Sequence, residues 1–111
     1  MPVLLLTTRG RRSGQPRTNV LTYLPDGGAL VVIASNGGAP RHPHWFLNLR
    51  AHPEAQVEIG GRRRSVRARE AEGPERDRLW ALVVQRYGGY AVYQRRTRRR
   101  IPVVVLTAAA P

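Results

Sequence analysis

The sequence predicts a mainly β domain with short helices, an α+β chain arranged as a small barrel or sheet with helices across its openings. Three observations support this prediction. Roughly six short segments are rich in aliphatic and β-branched residues, Gly-containing turns join two pairs of them, and two or three short stretches show helical spacing of apolar residues. Residues 1–111 are expected to form a single domain, because a chain of 111 residues can bury one core but not two.

The first half of the chain is predicted to be mostly strand. Residues 3–7 (VLLLT) indicate a short buried strand. Residues 16–24 have β-branched and aromatic content, and residues 29–35 (ALVVIAS) form a near-continuous apolar strand. The sequence PDGG at 25–28 predicts a hairpin between these two strands, because Asp-Gly-Gly supplies the positive φ angles that tight turns require.

A short helix and a second hairpin are predicted next. Residues 42–52 indicate a helix with Pro43 in its first turn, and its apolar positions are Trp45, Phe46 and Leu49. Residues 55–61 and 62–70 then form two strands around a Gly-Gly turn.

The last third is predicted to contain two helical segments and a strand. Residues 73–88 carry a proline at the start and acidic residues in the first turn, which favours a helix. The apolar stripe of this helix is Leu79, Leu82 and Val83. A Gly-Gly break separates it from a helical segment at 90–97, and residues 101–106 (IPVVVL) close the chain as a strand.

The composition is strongly basic. The net charge is +12, and all 19 basic residues are arginine. A GC-rich genome explains the choice of Arg over Lys, but the excess of charge implies an anionic partner: nucleic acid, anionic lipid, or a phosphorylated or carboxylated small molecule. The lack of cysteine excludes disulfides and cysteine-ligated metal sites. With no signal-like start and no apolar run of bilayer length, the expected location is the cytoplasm.

The segment TTRGRRSGQPRTNVLTY, residues 7–23, places arginines around two glycines on a connection between strands. Glycines let backbone N–H groups approach an anion, and guanidinium groups bind phosphate or carboxylate oxygens in pairs. The segment is therefore either a cradle for phosphate and carboxylates or a solvated, Arg-rich turn. It is not a Walker A loop, because the Gly-Lys-Ser/Thr end is missing.

Residues 34–49 (ASNGGAPRHPHWFLNL) combine a strand end, a glycine loop and a helix start, which is a common anion-binding geometry. His42 and His44 lack a nearby third ligand, so no metal site is predicted and they are interpreted as loop residues beside an anion. Trp45 is expected to be a core residue or a pocket wall.

Three tyrosines, Tyr87, Tyr90 and Tyr93, are spaced by three residues across a Gly-Gly pair. Because a buried phenol needs a hydrogen-bond partner, the cluster predicts a pocket lid, with a structural aromatic cluster as the alternative.

The arginine runs at 61–69 and 94–100 are dense enough for nucleic-acid contact. Their interpretation here is a solvated surface, Arg98 and Arg99 included.

Three segments, taken in order, resemble the deazaflavin-dependent nitroreductase family of actinobacteria. They are TTRGRRSGQPRTNVLTY, ASNGGAPRHPHWFLNLRAHPEAQVEIGGR and ERDRLWALVVQRYGGYAVYQRRTRRRIPVVVL. The resemblance runs from about Val3 to Leu106 and implies a split β-barrel like that of FMN-binding proteins. It also implies coenzyme F420, an 8-hydroxy-5-deazaflavin with a ribityl chain, a phosphate and an oligoglutamate tail. An Arg-rich glycine loop suits that polyanionic ligand.

The resemblance implies the coenzyme-binding residues as well. Those on the phosphate and tail side are Arg11, Arg12, Ser13, Arg17, Thr18, Asn19, Val20, Leu21 and Thr22. Those on the ring and ribityl side are Ile33, Ala34, Ser35, Asn36, His44, Trp45, Phe46, Leu47 and Asn48, with Tyr90 packed near the ring. The expected catalytic residues are Ser35, Tyr87, Tyr90 and Tyr93, where a hydroxyl donates to the substrate and the outer tyrosines shape its site.

The function that the resemblance implies is F420-dependent reduction, with hydride transferred from C5 of the reduced deazaflavin to a quinone, nitroaromatic or activated enone. The alternatives are an FMN- or haem-binding split-barrel protein and a basic nucleic-acid-binding module. The expected partners are F420 and a small hydride acceptor, with no nucleic acid; peripheral contact with a membrane is allowed, as is either a monomer or a homodimer.

The sequence departs from the family pattern at two points. It begins almost at the first strand, where relatives usually carry an N-terminal segment, so a more open pocket or a removed segment is expected. Thr22, with Tyr23 adjacent, stands near the position of a tyrosine in the nitroimidazole reducers.

Overall fold

The computed structural model describes residues 2–109 and contains seven strands, three helices and one 3-10 turn. The strands are β1 Val3–Arg9, β2 Pro16–Thr22, β3 Leu24–Asp26, β4 Ala29–Ile33, β5 Glu54–Ile59, β6 Arg62–Glu70 and β7 Val103–Ala108. The helices are α1 His44–Ala51, α2 Gly73–Arg86 and α3 Gly89–Arg95, and the 3-10 turn is Asn36–Gly38. The outer bounds of the predicted domain, residues 1 and 111, lie outside the described residues.

The strands form one antiparallel sheet in the order β2-β1-β5-β6-β7-β4-β3. Strands β2 and β3 stand at its two ends, yet only Tyr23 separates them in the chain. The two edges of the sheet must therefore lie next to each other, and this requires the sheet to curl into a barrel.

The interior of the barrel is filled by side chains from the inner faces of the strands and by one helix. Leu4 and Leu6 of β1 pack there with Trp45, Phe46 and Leu49 of α1. The last three are at most 5% exposed, as expected from their helical spacing. Helix α1 therefore plugs one end of the barrel.

A second apolar cluster lies on the outer face of β4 and β7, under α2. Val31 and Ile33 of β4 pack there with Leu79 and Val83 of α2, whereas Leu30 and Val32 point into the barrel. Because both faces of β4 are covered, its sequence is continuously apolar rather than alternating. The same holds for β7.

The predicted elements are confirmed with changes at their ends. The segment 16–24 is broken at Tyr23, which makes seven strands instead of six, and the last strand starts at Val103 and continues to Ala108. Pro43 precedes α1 rather than lying in its first turn, since its backbone is extended (ψ 150°). Leu82 is 39% exposed and does not belong to the buried stripe of α2.

The arginines of β6 form the predicted solvated face. Arg63, Arg67 and Arg69 have side chains that are 70%, 61% and 53% exposed, and they pair with glutamates at 3.6, 3.3 and 2.6 Å. Val66, between them, is buried in the barrel. Over residues 2–109 the structure has no helix both long enough and apolar enough to cross a bilayer.

Gly38 should be intolerant of a side chain, because its φ is +82° and a Cβ would lie 2.7 Å from the Tyr93 carbonyl oxygen and 2.9 Å from Cβ of Arg96. We expect Gly38→Ala to lower the free energy of unfolding by about 2–4 kcal/mol, through positive-φ strain and the steric clash together. The matched control is Gly37→Ala, at φ +64° with no atom within 4 Å, which should lose only about 1 kcal/mol. Equal losses in urea unfolding would contradict the contact between this turn and α3.

Candidate cofactor and substrate cleft

A cleft of about 1110 Å³ opens where the Arg loop (residues 9–15), β2, the end of β4, the start of α1 and α3 meet. An adjoining groove of about 470 Å³ runs along the Arg loop and the start of β2. The two share five lining residues, Arg11, Arg12, Asn19, His44 and Trp45, so they form one continuous depression.

The structure brings most of the predicted site residues to this depression. Those lining the large cleft are Arg11, Arg12, Asn19, Val20, Leu21, Thr22, Ile33, Ser35, Asn36, His44, Trp45, Leu47, Tyr90 and Tyr93. Those lining only the groove are Ser13, Arg17, Thr18 and Asn48.

Three predicted site residues lie elsewhere. Ala34 and Phe46 are buried in the barrel core and line neither the cleft nor the groove. Tyr87 lines neither cavity, and its ring instead packs edge-on against Tyr90 with centroids 6.3 Å apart. Tyr23 packs against the barrel core and does not line the cleft beside Thr22.

Asn48 on α1 connects the plug helix to the Arg loop. It is only 3% exposed, and its Oδ1 accepts hydrogen bonds from the backbone N–H of Arg11 (3.2 Å) and from its guanidinium (2.9 Å). Its Nδ2 donates to Oγ1 of the buried Thr8 at 3.1 Å. These bonds hold Arg11 against the barrel, so the loop is not merely a solvated turn. Arg12 and Arg17 remain exposed along the groove.

Arg99 connects the segment before β7 to the loop after β4, and the prediction of a solvated position for it is wrong. Its guanidinium donates to the carbonyl oxygens of Ala34 (3.2 Å), Ser35 (2.6 Å) and Ala39 (2.9 Å). Desolvation by burial lowers the pKa of Arg99. Its neighbour Arg98 is exposed as predicted. One arginine in a basic run carries no sequence signal for such a role.

His42 and His44 each accept a hydrogen bond from an arginine distant in sequence. Nδ1 of His42 lies 3.1 Å from Nη1 of Arg99, and Nδ1 of His44 lies 3.3 Å from Nη2 of Arg11. A guanidinium can only donate, so both Nδ1 atoms are acceptors and the ring protons sit on Nε2. Burial, followed by the charges of Arg99 and Arg50, lowers the pKa of His42.

Tyr90 bridges α3 to β2. Its phenol oxygen lies 2.8 Å from Oγ1 of Thr22, and its ring packs edge-on against Tyr93 with centroids 5.9 Å apart. Both rings line the cleft and also contact the outer apolar cluster. Helix α3 therefore covers one side of the cleft with aromatic faces.

Ser35 lies at the end of β4, on the cleft wall. The residue is 9% exposed, and its hydroxyl has no hydrogen-bond partner among the described residues. No buried side-chain oxygen or nitrogen in residues 2–109 lacks a partner, so this hydroxyl is accessible to a ligand.

The cleft and groove are basic throughout. Neither is lined by an acidic side chain within residues 2–109, whereas arginines line both. The acidic partners Glu54, Glu58 and Glu75 pair with arginines of β6 instead. Over the same residues no group of three His, Asp or Glu side chains could hold a metal ion. An anionic ligand with an aromatic ring fits this donor set.

The antiparallel sheet, curled into a barrel with a basic cleft at its mouth, places the protein in the split β-barrel class. Two distant solved structures share this fold. A haem-binding protein from Mycobacterium smegmatis is 22% identical, with a TM-score of 0.74, and the match covers 97% of this chain and 46% of that one. An FAD-binding protein from Mesorhizobium loti is 17% identical, with a TM-score of 0.63, and the match covers 99% of this chain and 81% of that one. At such identities the likeness shows the fold alone, and it confirms the predicted fold class.

The chain belongs to the F420H(2)-dependent quinone reductase family, whose sequence model matches residues 1–108. It is 46% identical over 109 residues to an F420H(2)-dependent quinone reductase of Mycobacterium tuberculosis, covering 96% of this chain and 73% of the relative. A solved F420-H2 dependent reductase is 40% identical, with a TM-score of 0.85, and the match covers 95% of this chain and 93% of that one. Another solved chain, described as a domain-swapped dimer, is 40% identical, with a TM-score of 0.86, and the match covers 95% of this chain and 79% of that one. The predicted resemblance to deazaflavin-dependent reductases is confirmed.

His42 should make stability depend on pH. Its pKa in the folded protein lies below the ordinary value of 6.5, so the unfolded chain binds the proton first. The contribution of His42 to the free energy of unfolding is therefore complete above pH 6.5 and is lost as pH falls through the lowered pKa. Urea unfolding of the protein and of His42→Gln between about pH 8 and pH 5 measures this. The variant should show the smaller decrease, and identical pH dependence in the two proteins would contradict the shift.

Proposed function

We propose that this protein is an F420H2-dependent reductase that transfers hydride to a quinone. The observation that carries the proposal is the shape and charge of the cleft. No acidic side chain of the described residues lines the depression, arginines lie along the groove at one end, and tyrosine rings lie over the other. A long ligand with a polyanionic tail and a flat ring matches both ends at once. Membership of the family supports the choice of coenzyme.

The groove would bind the anionic part of the coenzyme. Arg12 and Arg17 are exposed along the groove, while Arg11 is held in place by Asn48 and His44. The oxygen of Ser13 accepts the backbone N–H of Gln15 at 3.1 Å, so its hydroxyl proton remains available to an anion.

The large cleft would hold the ring and the hydride acceptor. When bound, the reduced deazaflavin supplies a hydride, and a quinone that gains this hydride and a proton becomes the hydroquinone. The chain contributes position and electrostatics. Ile33, Trp45 and Leu47 provide an apolar wall, and the hydroxyl of Ser35 can donate to the charge that develops on the acceptor. Tyr93 can donate from α3.

The direct test is a screen for oxidation of reduced F420 by a quinone, a nitroaromatic compound or an activated enone. The absorbance of the oxidised coenzyme measures the rate of this reaction. We expect turnover with all three classes and the highest kcat/KM with the quinone. No oxidation above the buffer rate with any acceptor would overturn the proposal.

The alternatives are separated by binding measurements. Affinities for F420, FMN and haem are measured separately on the same preparation, and F420 should bind at least about tenfold more tightly than either. Tighter FMN or haem binding would favour those split-barrel functions. Retention on DNA at about 0.15 M salt would favour the nucleic-acid-binding alternative, because a fortuitously basic surface should release it there.

The proposal extends to location and assembly. A cytoplasmic location is proposed, to be checked by cell fractionation. A homodimer is supported by a 40% identical chain described as a domain-swapped dimer, and sedimentation measures the assembly state. Contact with an anionic membrane is supported by the exposed Arg62 and Arg64 at the start of β6, and cosedimentation with anionic and neutral vesicles tests it.

Removing a groove arginine should weaken F420 binding. We expect Arg12→Ala and Arg17→Ala each to lose about 1.5 kcal/mol, or roughly tenfold in Kd, as for a charge-assisted contact near the surface. The loss should shrink at higher salt, because charges are screened over about 8 Å at physiological ionic strength. Arg95→Ala and Arg98→Ala, exposed and outside both cavities, serve as controls. Equal losses at all four positions would mean that the groove is not a specific site.

Tyr90 and Thr22 form a matched pair for testing the lid. Tyr90→Phe and Thr22→Val remove the same hydrogen bond, but only Tyr90→Phe removes the phenol hydroxyl. If the phenol acts on the ligand, we expect Tyr90→Phe to reduce turnover about tenfold and Thr22→Val to stay near the wild-type rate. A purely structural bond would lower the melting temperature equally in both variants and leave the kinetics of the folded protein unchanged.

A further inference from the structure

His42 is an unassigned polar residue on the cleft wall. Its ring packs against Phe46 with centroids 4.8 Å apart, and the guanidinium of Arg99 donates a hydrogen bond to its Nδ1. The same guanidinium binds the carbonyl oxygen of Ser35, so His42 and Ser35 are held by one group. Both residues line the large cleft.

The arrangement leaves one ring nitrogen free. Because Nδ1 accepts from Arg99, the proton is on Nε2, and Nε2 has no partner among the described residues. No buried side-chain nitrogen in residues 2–109 lacks a partner, so Nε2 is accessible. No acidic side chain of the described residues lines the cleft to accept its proton. A fixed N–H donor on a residue of the cleft wall is therefore accessible to a ligand.

We propose that the Nε2–H of His42 donates a hydrogen bond to the oxygen of the hydride acceptor, a quinone carbonyl, and that Arg99 is the positioning residue that fixes this tautomer. This inference rests on the proposed function. Hydride addition to the quinone places negative charge on a carbonyl oxygen, and a donor already aimed at that oxygen stabilises the charge without reorganising. The oxygen then takes its proton from solvent, and the imidazole keeps its own.

His42, rather than His44, stands at the acceptor end. His44 lines both the large cleft and the Arg groove and is bonded to Arg11, which places it at the anionic part of the ligand. His42 lines only the large cleft, with Ser35 and Tyr93.

Burial, followed by the charges of Arg99 and Arg50, lowers the pKa of His42 and so favours the neutral ring. Arg99, and Arg50 on α1, are the cations that face His42, while Glu70 at the end of β6 is the opposing anion. A second proton on the ring would break the bond from Arg99, since Nδ1 could no longer accept. The ring therefore acts as a hydrogen-bond donor and not as a proton source.

Three substitutions of His42 separate its two nitrogens. Asn places an amide oxygen where Nδ1 stood, so it keeps the bond to Arg99 and loses the outer donor. Gln reaches further and can replace the Nε2–H. Phe keeps the packing on Phe46 and loses both polar atoms. His52→Gln, at the end of α1 and outside both cavities, is the control.

We expect His42→Asn and His42→Phe to lower kcat for quinone reduction about 10- to 100-fold, and His42→Gln to lower it less than about fivefold. All three should bind oxidised F420 within about threefold of the wild-type Kd. Loss of turnover that follows the melting temperature, or a His42→Asn protein with wild-type kcat, would overturn the inference.

Nitrogen-detected NMR of the histidine rings gives a readout that does not depend on turnover. In the free protein His42 should be the Nε2–H tautomer, and Arg99→Lys should lose this preference. Adding 1,4-naphthoquinone with oxidised F420 should shift the His42 Nε2–H resonance and leave that of His52 unchanged. If the resonance shifts but reduced F420 is never oxidised, the proposed function fails and the hydrogen bond stands. If the wild type reduces the quinone with an unshifted His42, the inference alone fails.

Discussion

The fold depends on one chain segment, residues 16–26, that hydrogen-bonds to both ends of the same sheet. Its first part, β2, pairs with β1, and its last part, β3, pairs with β4. Because a single residue, Tyr23, lies between them, the sheet must curl until its ends meet. Closure creates an interior that strand side chains alone do not fill, and α1 completes it with Trp45 and its apolar neighbours. The cleft opens beside that plug.

Two polar cross-links hold the walls of the cleft in place. Asn48 connects α1 to β1 and to the Arg loop, and Arg99 connects the segment before β7 to the turn after β4. Leaving a buried polar group without its partner costs about 1–3 kcal/mol, so both residues favour one arrangement of the loops they join. The histidines His42 and His44 belong to these same cross-links, each through an arginine. Site geometry and fold stability are thus coupled.

The net charge of +12 is not spread evenly over the molecule. On β6 three of the five arginines pair with glutamates, and exposed pairs of this kind contribute little to stability. Around the cleft and groove no acidic side chain of the described residues balances Arg11, Arg12 and Arg17. Uncompensated positive charge therefore lies where a ligand would bind, which raises the local concentration of anions and their rate of association.

The sequence by itself determined the fold class, most elements, both hairpins and the core face of α1, because local periodicity and turn chemistry report burial directly. It also determined the basic loop, through its glycines and arginines. Only the tertiary structure decided that Arg99 is a cross-link while Arg98 is solvated, and that Tyr87 lies outside the cleft. Adjacent arginines in one run are indistinguishable in sequence. Their roles depend on which distant carbonyl groups lie within hydrogen-bond distance, and closure of the barrel fixes that.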